Sequence, residues 1–134
     1  SANPAASARA VKQLQAWVER DDWETILPGY ARCVRIIRSA QVDDRQLTIN
    51  KKKFSEQAEQ DLYAAIQSSV VHRPSSVDEF LNIVVKLIPS INAFFDKVLV
   101  MAEDEKIKQN RLALVGQIAA LSTGLADLSK LEGF

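Results

Sequence analysis

The sequence predicts an all-α fold, a single bundle of five to six helices occupying residues 1–134 as one domain. Three observations lead there. Gly and Pro number only four each, and β-branched residues rarely alternate with polar ones, which leaves little material for strands and their turns. Apolar residues instead recur at three- and four-residue steps along most of the chain, the period of a half-buried helix. With 134 residues, 47% hydrophobic and 25% charged, the chain has the size and composition of one ordinary globular domain.

Val11, Leu14, Trp17 and Val18 mark a first helix from Pro4 to Glu19, with Asn3 as cap and Pro4 at the favoured first position. It is expected to stop near Asp21-Asp22. Either aspartate can accept from free backbone N–H groups and open a short turn, Trp23 to Leu27, which Pro28-Gly29 interrupts. In the helix that follows, Tyr30, Cys33, Val34 and Ile37 form an apolar stripe, and Arg32, Arg35 and Arg38 step by three along another side. Residues 41–54 lack a helical period and form the longest loop, with Leu47-Thr48-Ile49 as a candidate extended piece. Ser55 caps a third helix, with Glu56 and Glu59 in its first turn and Ala58, Leu62, Ala65, Ile66 and Ser69 on its buried face. It should fray near His72.

Ser76-Val77-Asp78-Glu79 fits a capping box and opens a strongly apolar helix through Phe80, Leu81, Val84, Leu87 and Ile88. Pro89 should break or kink it, leaving a second piece, Ser90 to Val98, that carries Ile91, Phe94 and Phe95. Leu99-Val100-Met101 reads as a tightly packed link. The longest helix is expected from Asp104 to Leu131, with a seam of Ile107, Leu114, Ile118, Leu121, Leu125 and Leu128. Gly116 and Gly124 interrupt that seam, as sites of close helix approach or, for Gly124, of a break.

The chemistry of the common enzyme classes is missing from the pattern. One Cys, Cys33, and one His, His72, exclude an intrachain disulfide and a cysteine zinc site, and they make a poor nucleophile and base. Cys33 reads as a core residue, and His72 as a cap on the last carbonyls of its helix. Glu103-Asp104-Glu105 is explained by the charge preference of a helix N-terminus rather than by a metal. There is no Gly-rich phosphate loop, no His-Glu-x-x-His and no Gly-x-Ser-x-Gly. The most apolar stretch, Phe80 to Val100, is interrupted by Asn82, Lys86, Pro89, Asn92, Asp96 and Lys97, so neither a membrane span nor a membrane partner is expected. The start, Ser1-Ala2-Asn3-Pro4, has neither an initiator Met nor a signal peptide. Residues 1–3 read as an added boundary, and the chain as a fragment.

Seventeen basic and seventeen acidic residues cancel, so no global field draws the chain onto nucleic acid. The charge is nevertheless uneven. Between Gly29 and Phe54 stand Arg32, Arg35, Arg38, Arg45, Lys51, Lys52 and Lys53 against only Asp43 and Asp44. Such a stretch can be a solvated face, or it can line up on phosphates. Tyr30, Trp23 and Phe54 lie close enough in sequence to offer stacking on an unpaired base.

The segment from Ile91 through Phe94-Phe95-Asp96-Lys97-Val98 and Val100-Met101 to Glu103-Asp104-Glu105, followed by Asn110-Arg111-Leu112-Ala113-Leu114, resembles the C-terminal region of the bacterial-type glycyl-tRNA synthetase β subunit. Two further pieces agree. Tyr30-Ala31-Arg32-Cys33-Val34-Arg35-Ile36-Ile37 is similar to that family's aromatic, Arg- and Ile-rich helix, and Phe54 through Ala58-Glu59 to Leu62 to its Phe and Ala-Glu helix start. The resemblance covers roughly residues 10 to 131 in order. It implies a C-terminal, DALR-like anticodon-binding domain, all-helical, with Arg111-Leu112-Ala113-Leu114 at the signature segment.

The resemblance further implies a module with no catalytic centre or cofactor of its own, in an enzyme that uses ATP and Mg elsewhere. Its partners would be glycine tRNA, through the anticodon stem-loop, the rest of the β subunit and the α subunit, in a bacterial cytoplasm or a plastid stroma. On this reading Arg32, Arg35, Arg38, Arg45 and Lys51 to Lys53 hold phosphates, and Asp43 or Asp44 accepts from the cytosine amino groups of a glycine anticodon. The alternative is a helical scaffold that docks within the α–β assembly with little tRNA contact. Among the motif residues, Phe94, Phe95, Val98 and Val100 are expected in the core, and Asp96 is expected to pair with Arg111. Asn110 should hold the adjoining backbone, and Lys97 and Leu112 belong to the same motif.

Overall fold

A computed structural model describes residues 4–42 and 47–134, which contain five α-helices and no strand. These are α1 (Pro4–Val18), α2 (Trp23–Ala40), α3 (Gln57–Ser69), α4 (Val77–Lys97) and α5 (Glu105–Ala119). Short 3₁₀ turns occupy Lys51–Lys53, Ala120–Ser122 and Leu128–Lys130.

Helix α1 docks near its end. Trp17 is buried, and its indole N–H donates to Asp78 Oδ1 at 2.9 Å while Gln13 Oε1 accepts from the Asp78 amide at 3.0 Å. The expected stripe is only partly covered: Leu14 is half-buried, and Val11 and Val18 are exposed, because α4 is the chief neighbour of α1. Asp22 stands at the N-cap position of α2 but makes no side-chain cap, since both its oxygens accept from Arg20 at 2.9 Å.

Neither proline divides its helix. Pro28 lies inside α2 and Pro89 inside α4, against the expected turn-plus-helix and the expected two pieces. Both sit on the outer face, where water takes the hydrogen bond that a proline forgoes. Pro28→Ala and Pro89→Ala should each restore that bond. Each is expected to raise stability by about 1–2 kcal/mol, the helix-interior cost of proline less its restraint of the unfolded chain, and a lower urea midpoint would contradict this.

Helix α3 begins one residue later than predicted. Glu56 rather than Ser55 is the N-cap, and a capping box joins it to Glu59. The helix ends at Ser69, so His72 caps nothing; its Nδ1 lies 3.1 Å from the Arg73 carbonyl on an exposed turn. At α4 the Ser76 hydroxyl accepts from the Glu79 amide at 3.1 Å as expected, while the Glu79 carboxylate reaches past Ser76 to Ser75, its amide at 2.7 Å and hydroxyl at 2.9 Å. The link after α4 buries Val98 and Val100 and leaves Leu99 and Met101 exposed.

The expected helix to Leu131 is shorter. α5 runs through Gly116 and stops at Ala119, and after one 3₁₀ turn Gly124 takes φ 79°, the left-handed conformation that ends helices. The longest helix is therefore α4, with 21 residues. Asp104 caps α5 through bonds from the Lys106 and Ile107 amides, a specific hydrogen-bonded role where the sequence reading had only the charge preference of a helix N-terminus.

The core is shared by all the main helices. Tyr30 and Phe80 meet edge-on at 5.0 Å, and Phe94, Leu62, Leu87, Leu112, Leu114 and Ile118 are fully buried around them. A Cβ on Gly29 would lie 2.6 Å from Ile88 Cδ1, so the glycine lets α2 and α4 approach closely. The Tyr30 hydroxyl donates to the Ala119 carbonyl at 2.7 Å, and Ser122 Oγ stands at the same distance. Burial pushes this phenol up to about 12.

These contacts set the helix directions. Gly29 faces Ile88 and Arg32 faces Phe95, so α2 and α4 run the same way; Tyr30 at Ala119, with Arg111 at Leu99 just past the end of α4, makes α5 antiparallel to both, and Arg111 at Glu59 with Arg73 at Thr123 makes it parallel to α3. One end of the bundle consequently gathers the C-termini of α2 and α4, the N-termini of α3 and α5, and the Lys51–Lys53 turn.

Candidate nucleic-acid interface

Three side chains build that end from the inside. Asn110, buried on the first turns of α5, clamps the peptide of Asn50: its Oδ1 accepts from the Asn50 amide at 2.7 Å and its Nδ2 donates to the Asn50 carbonyl at 3.0 Å. The residue expected to hold adjoining backbone thus holds a segment 60 residues away. Asn50 in turn accepts from the Lys52 amide through its side chain, which shapes the Lys51–Lys53 turn.

Arg111 is the second anchor, and its partner is not Asp96. Its Nη2 lies 3.2 Å from Glu59 Oε1 and 3.1 Å from Ser55 Oγ, and its Nη1 donates to the Leu99 carbonyl at 2.8 Å. Asp96 is exposed, because at its place on α4 the carboxylate faces solvent while α3 presents Glu59 inward. Glu59, with no exposed surface, also accepts on Oε1 from the Ser55 and Glu56 amides. Its role is therefore structural rather than the surface charge complement expected of the first turn.

On this frame the cations are arranged unevenly. Arg32, Arg35 and Arg38 are all exposed on α2. Arg32 lies flat on Phe95, 4.3 Å from the ring centroid, so Phe95 is half-buried under a guanidinium rather than in the core. Arg35 donates to the carbonyl of Phe134. Arg38 faces the C-terminal tail, where Asp127 is held below its ordinary range first by the Ser129 hydroxyl and amide and then by Lys130 and Arg38. Lys51, Lys52 and Lys53 are exposed together, and Lys51 stands 5.8 Å over the ring of Tyr63. Lys97 is exposed in the last turn of α4, and Leu112 is core. Asp43, Asp44 and Arg45 lie outside the described residues.

The aromatics sort differently from the sequence reading. Tyr30 and Trp23 are buried and unavailable for stacking, whereas Phe54 is half-buried against Tyr63, centroids 5.6 Å apart. Tyr63 escaped notice because a single Tyr inside a helical pattern carries no mark of whether it faces core or surface.

Cys33 is buried, and its Sγ donates to the Gly29 carbonyl at 3.6 Å; burial pushes the thiol up to about 12. Since the thiolate is the reactive form, native Cys33 should resist iodoacetamide near neutral pH and react once the chain is unfolded in urea. Mass spectrometry before and after denaturation checks this, and rapid native labelling would contradict the burial. Among the described residues no group of three His, Cys, Asp or Glu side chains could hold a metal ion, and no helix is long and apolar enough to cross a membrane.

The sequence profile of the DALR anticodon binding domain matches residues 26–128. The chain belongs to the DALR anticodon-binding domain family. Over 134 residues this DALR domain is 31% identical to the chloroplastic/mitochondrial glycine–tRNA ligase 2 of Arabidopsis thaliana, covering 98% of this chain and 12% of that protein. It is 38% identical over 118 residues to the glycine–tRNA ligase beta subunit of Desulfatibacillum aliphaticivorans, covering 83% of the chain and 16% of the relative. The corresponding beta subunit of Myxococcus xanthus is 32% identical over 132 residues, 95% of the chain and 19% of the relative. The DALR domain therefore spans less than a fifth of the length of these relatives.

Proposed function

We propose that the chain is the anticodon-binding module of a glycine–tRNA ligase β subunit and contacts the anticodon stem-loop of glycine tRNA. The observation that carries this reading is the match of residues 26–128 to a domain described as anticodon-binding, and the exposure of Lys51–Lys53 and of Arg32 on that domain is consistent with it. Exposed cations on a rigid frame neutralise phosphates, and each contact contributes affinity that falls with salt. Arg32 is held in place by Phe95 before any ligand arrives, so little side-chain entropy is lost on binding. Glycine activation with ATP and magnesium is assigned, in this reading, to the remainder of the synthetase, in a bacterial cytoplasm or an organelle.

A second reading has its own observation. Leu99 and Met101 are 70% and 49% exposed at the same end, and such side chains suit docking on the rest of the β subunit or on the α subunit. Titration of the chain with a glycine tRNA anticodon stem-loop at two salt concentrations, followed by fluorescence anisotropy, separates the two. Phosphate binding requires affinity that weakens steeply with salt. Failure to bind at either salt would overturn the tRNA reading in favour of docking.

A further inference from the structure

Helix α1 carries two adjacent stripes, and the bundle covers one of them. Ala10, Gln13 and Trp17 form the docked stripe, fixed by the two bonds to Asp78. Ser7, Val11, Leu14 and Val18 recur at steps of four, three and four and form the second. Leu14 lies half-buried on the seam between the two, whereas Val11 and Val18 are 56% and 43% exposed. Ala8 and Gln15 border the open stripe on its far side, so this face holds no charge; Arg9 and Lys12 lie farther round the helix. Trp17 is the one buried side chain among residues 7–18, and ahead of Ala10 every described side chain of α1 is exposed. A helix of 15 residues with so little cover is marginal in water, because helices of that length depend on the packing of their apolar side.

We infer that the Val11–Val18 stripe of α1 docks on an apolar, uncharged face in the remainder of the β subunit, on the same polypeptide. The inference rests on the β-subunit reading above and not on tRNA contact. The DALR profile begins at residue 26, past α1, while the match to the Arabidopsis relative covers 98% of the chain and so takes α1 in. The helix thus goes with the glycine–tRNA ligases rather than with anticodon-binding domains at large, and more than four-fifths of each of the three relatives lies outside the match. Size decides between a tethered partner and a separate one. A stable interface between separate chains buries about 1,200 Å² or more, beyond what one stripe of a single 15-residue helix supplies. A surface on the same polypeptide needs less, since the connection holds the two at high effective concentration. Chemistry disfavours RNA: the stripe offers no cation to a phosphate, and Arg9 and Lys12 stay in water on another side.

Hydrogen exchange of the α1 amides, read by mass spectrometry in the isolated chain and in the full-length β subunit that carries it, tests the docking. Residues 8–14 should exchange about a hundredfold more slowly in the subunit, with buried α4 as the internal reference. Val11→Lys combined with Val18→Lys should return those amides to the isolated-chain rate. Lysine is the better helix former, so this loss reports the contact rather than the helix. The isolated double variant should keep its urea midpoint, because both side chains are exposed there. Equally fast exchange of α1 in chain and subunit would overturn the inference, and protection that survives the double substitution would overturn the stripe as the contact. Slow exchange in the isolated chain that quickens on dilution would make a second copy the occupant instead. Protection that appears only on addition of the α subunit or of glycine tRNA would likewise overturn the assignment. None of these outcomes bears on stem-loop binding by anisotropy, so either reading can fail while the other stands.

Discussion

Glu59→Ala is expected to lower the unfolding free energy by about 3–5 kcal/mol, the range for removing one partner of a buried ion pair. The carboxylate has no exposed surface, and its Oε1 collects the Arg111 guanidinium and the Ser55 and Glu56 amides. Alanine leaves Arg111, 8% exposed, without a counter-charge and strips the N-terminus of α3 of its capping carboxylate. Glu59→Gln keeps an acceptor but loses the charge, so it should fall between. Leucine at both positions removes the buried charges together and is expected to recover part of the loss. Asp96→Ala supplies the contrast: the side chain is exposed and has no hydrogen bond or ion pair among the described residues, so the change should stay within about 0.5 kcal/mol. Urea unfolding monitored by circular dichroism measures all four. If Asp96→Ala costs more than Glu59→Ala, the pairing assigned to Arg111 is wrong.

Replacing Lys51, Lys52 and Lys53 together by Ala should reduce the slope of log affinity against log salt by about two units and weaken anticodon stem-loop binding on the order of a hundredfold at low salt. The arithmetic assumes one phosphate for each lysine and the single-strand value of about 0.7 per phosphate. The turn itself should survive, because Asn50 caps the backbone amide of residue 52 rather than its side chain, and Asn110 holds Asn50. These lysines are preferred over the arginines as the decisive variant, since Arg35 and Arg38 face the C-terminal tail. Lys12→Ala on α1, which docks at the opposite end through Trp17 and Asp78, should leave binding unchanged. An unaltered salt slope in the triple variant would remove this turn from the interface.

Much of the helical framework was legible in the residues themselves. The amphipathic steps through Tyr30, Cys33 and Ile37, the Ser76 cap and the acidic start of α5 all lie within a few residues of what they control, and local steric, hydrogen-bond and charge rules decide them. The prolines misled for the same reason. The cost of Pro28 and Pro89 depends on which face of the finished helix they occupy, and that face is chosen by packing.

The cationic stretch could likewise be located from composition, and the resemblance in Phe94 to Asp96 and Asn110 to Leu112 pointed to the family that the match over residues 26–128 establishes. What composition could not rank was the pairing. Arg111 had an acid nearer in sequence, Asp96, and one farther away, Glu59, with equal charge. By itself the sequence determined the all-helical class, the Ser76 cap and the placement of the positive stretch, because each follows from near neighbours along the chain. Only the tertiary structure decided that Glu59 receives Arg111 and that Asn110 grips Asn50. Those contacts join segments far apart in sequence, and burial, set by how the helices assemble, selects among side chains that are chemically alike.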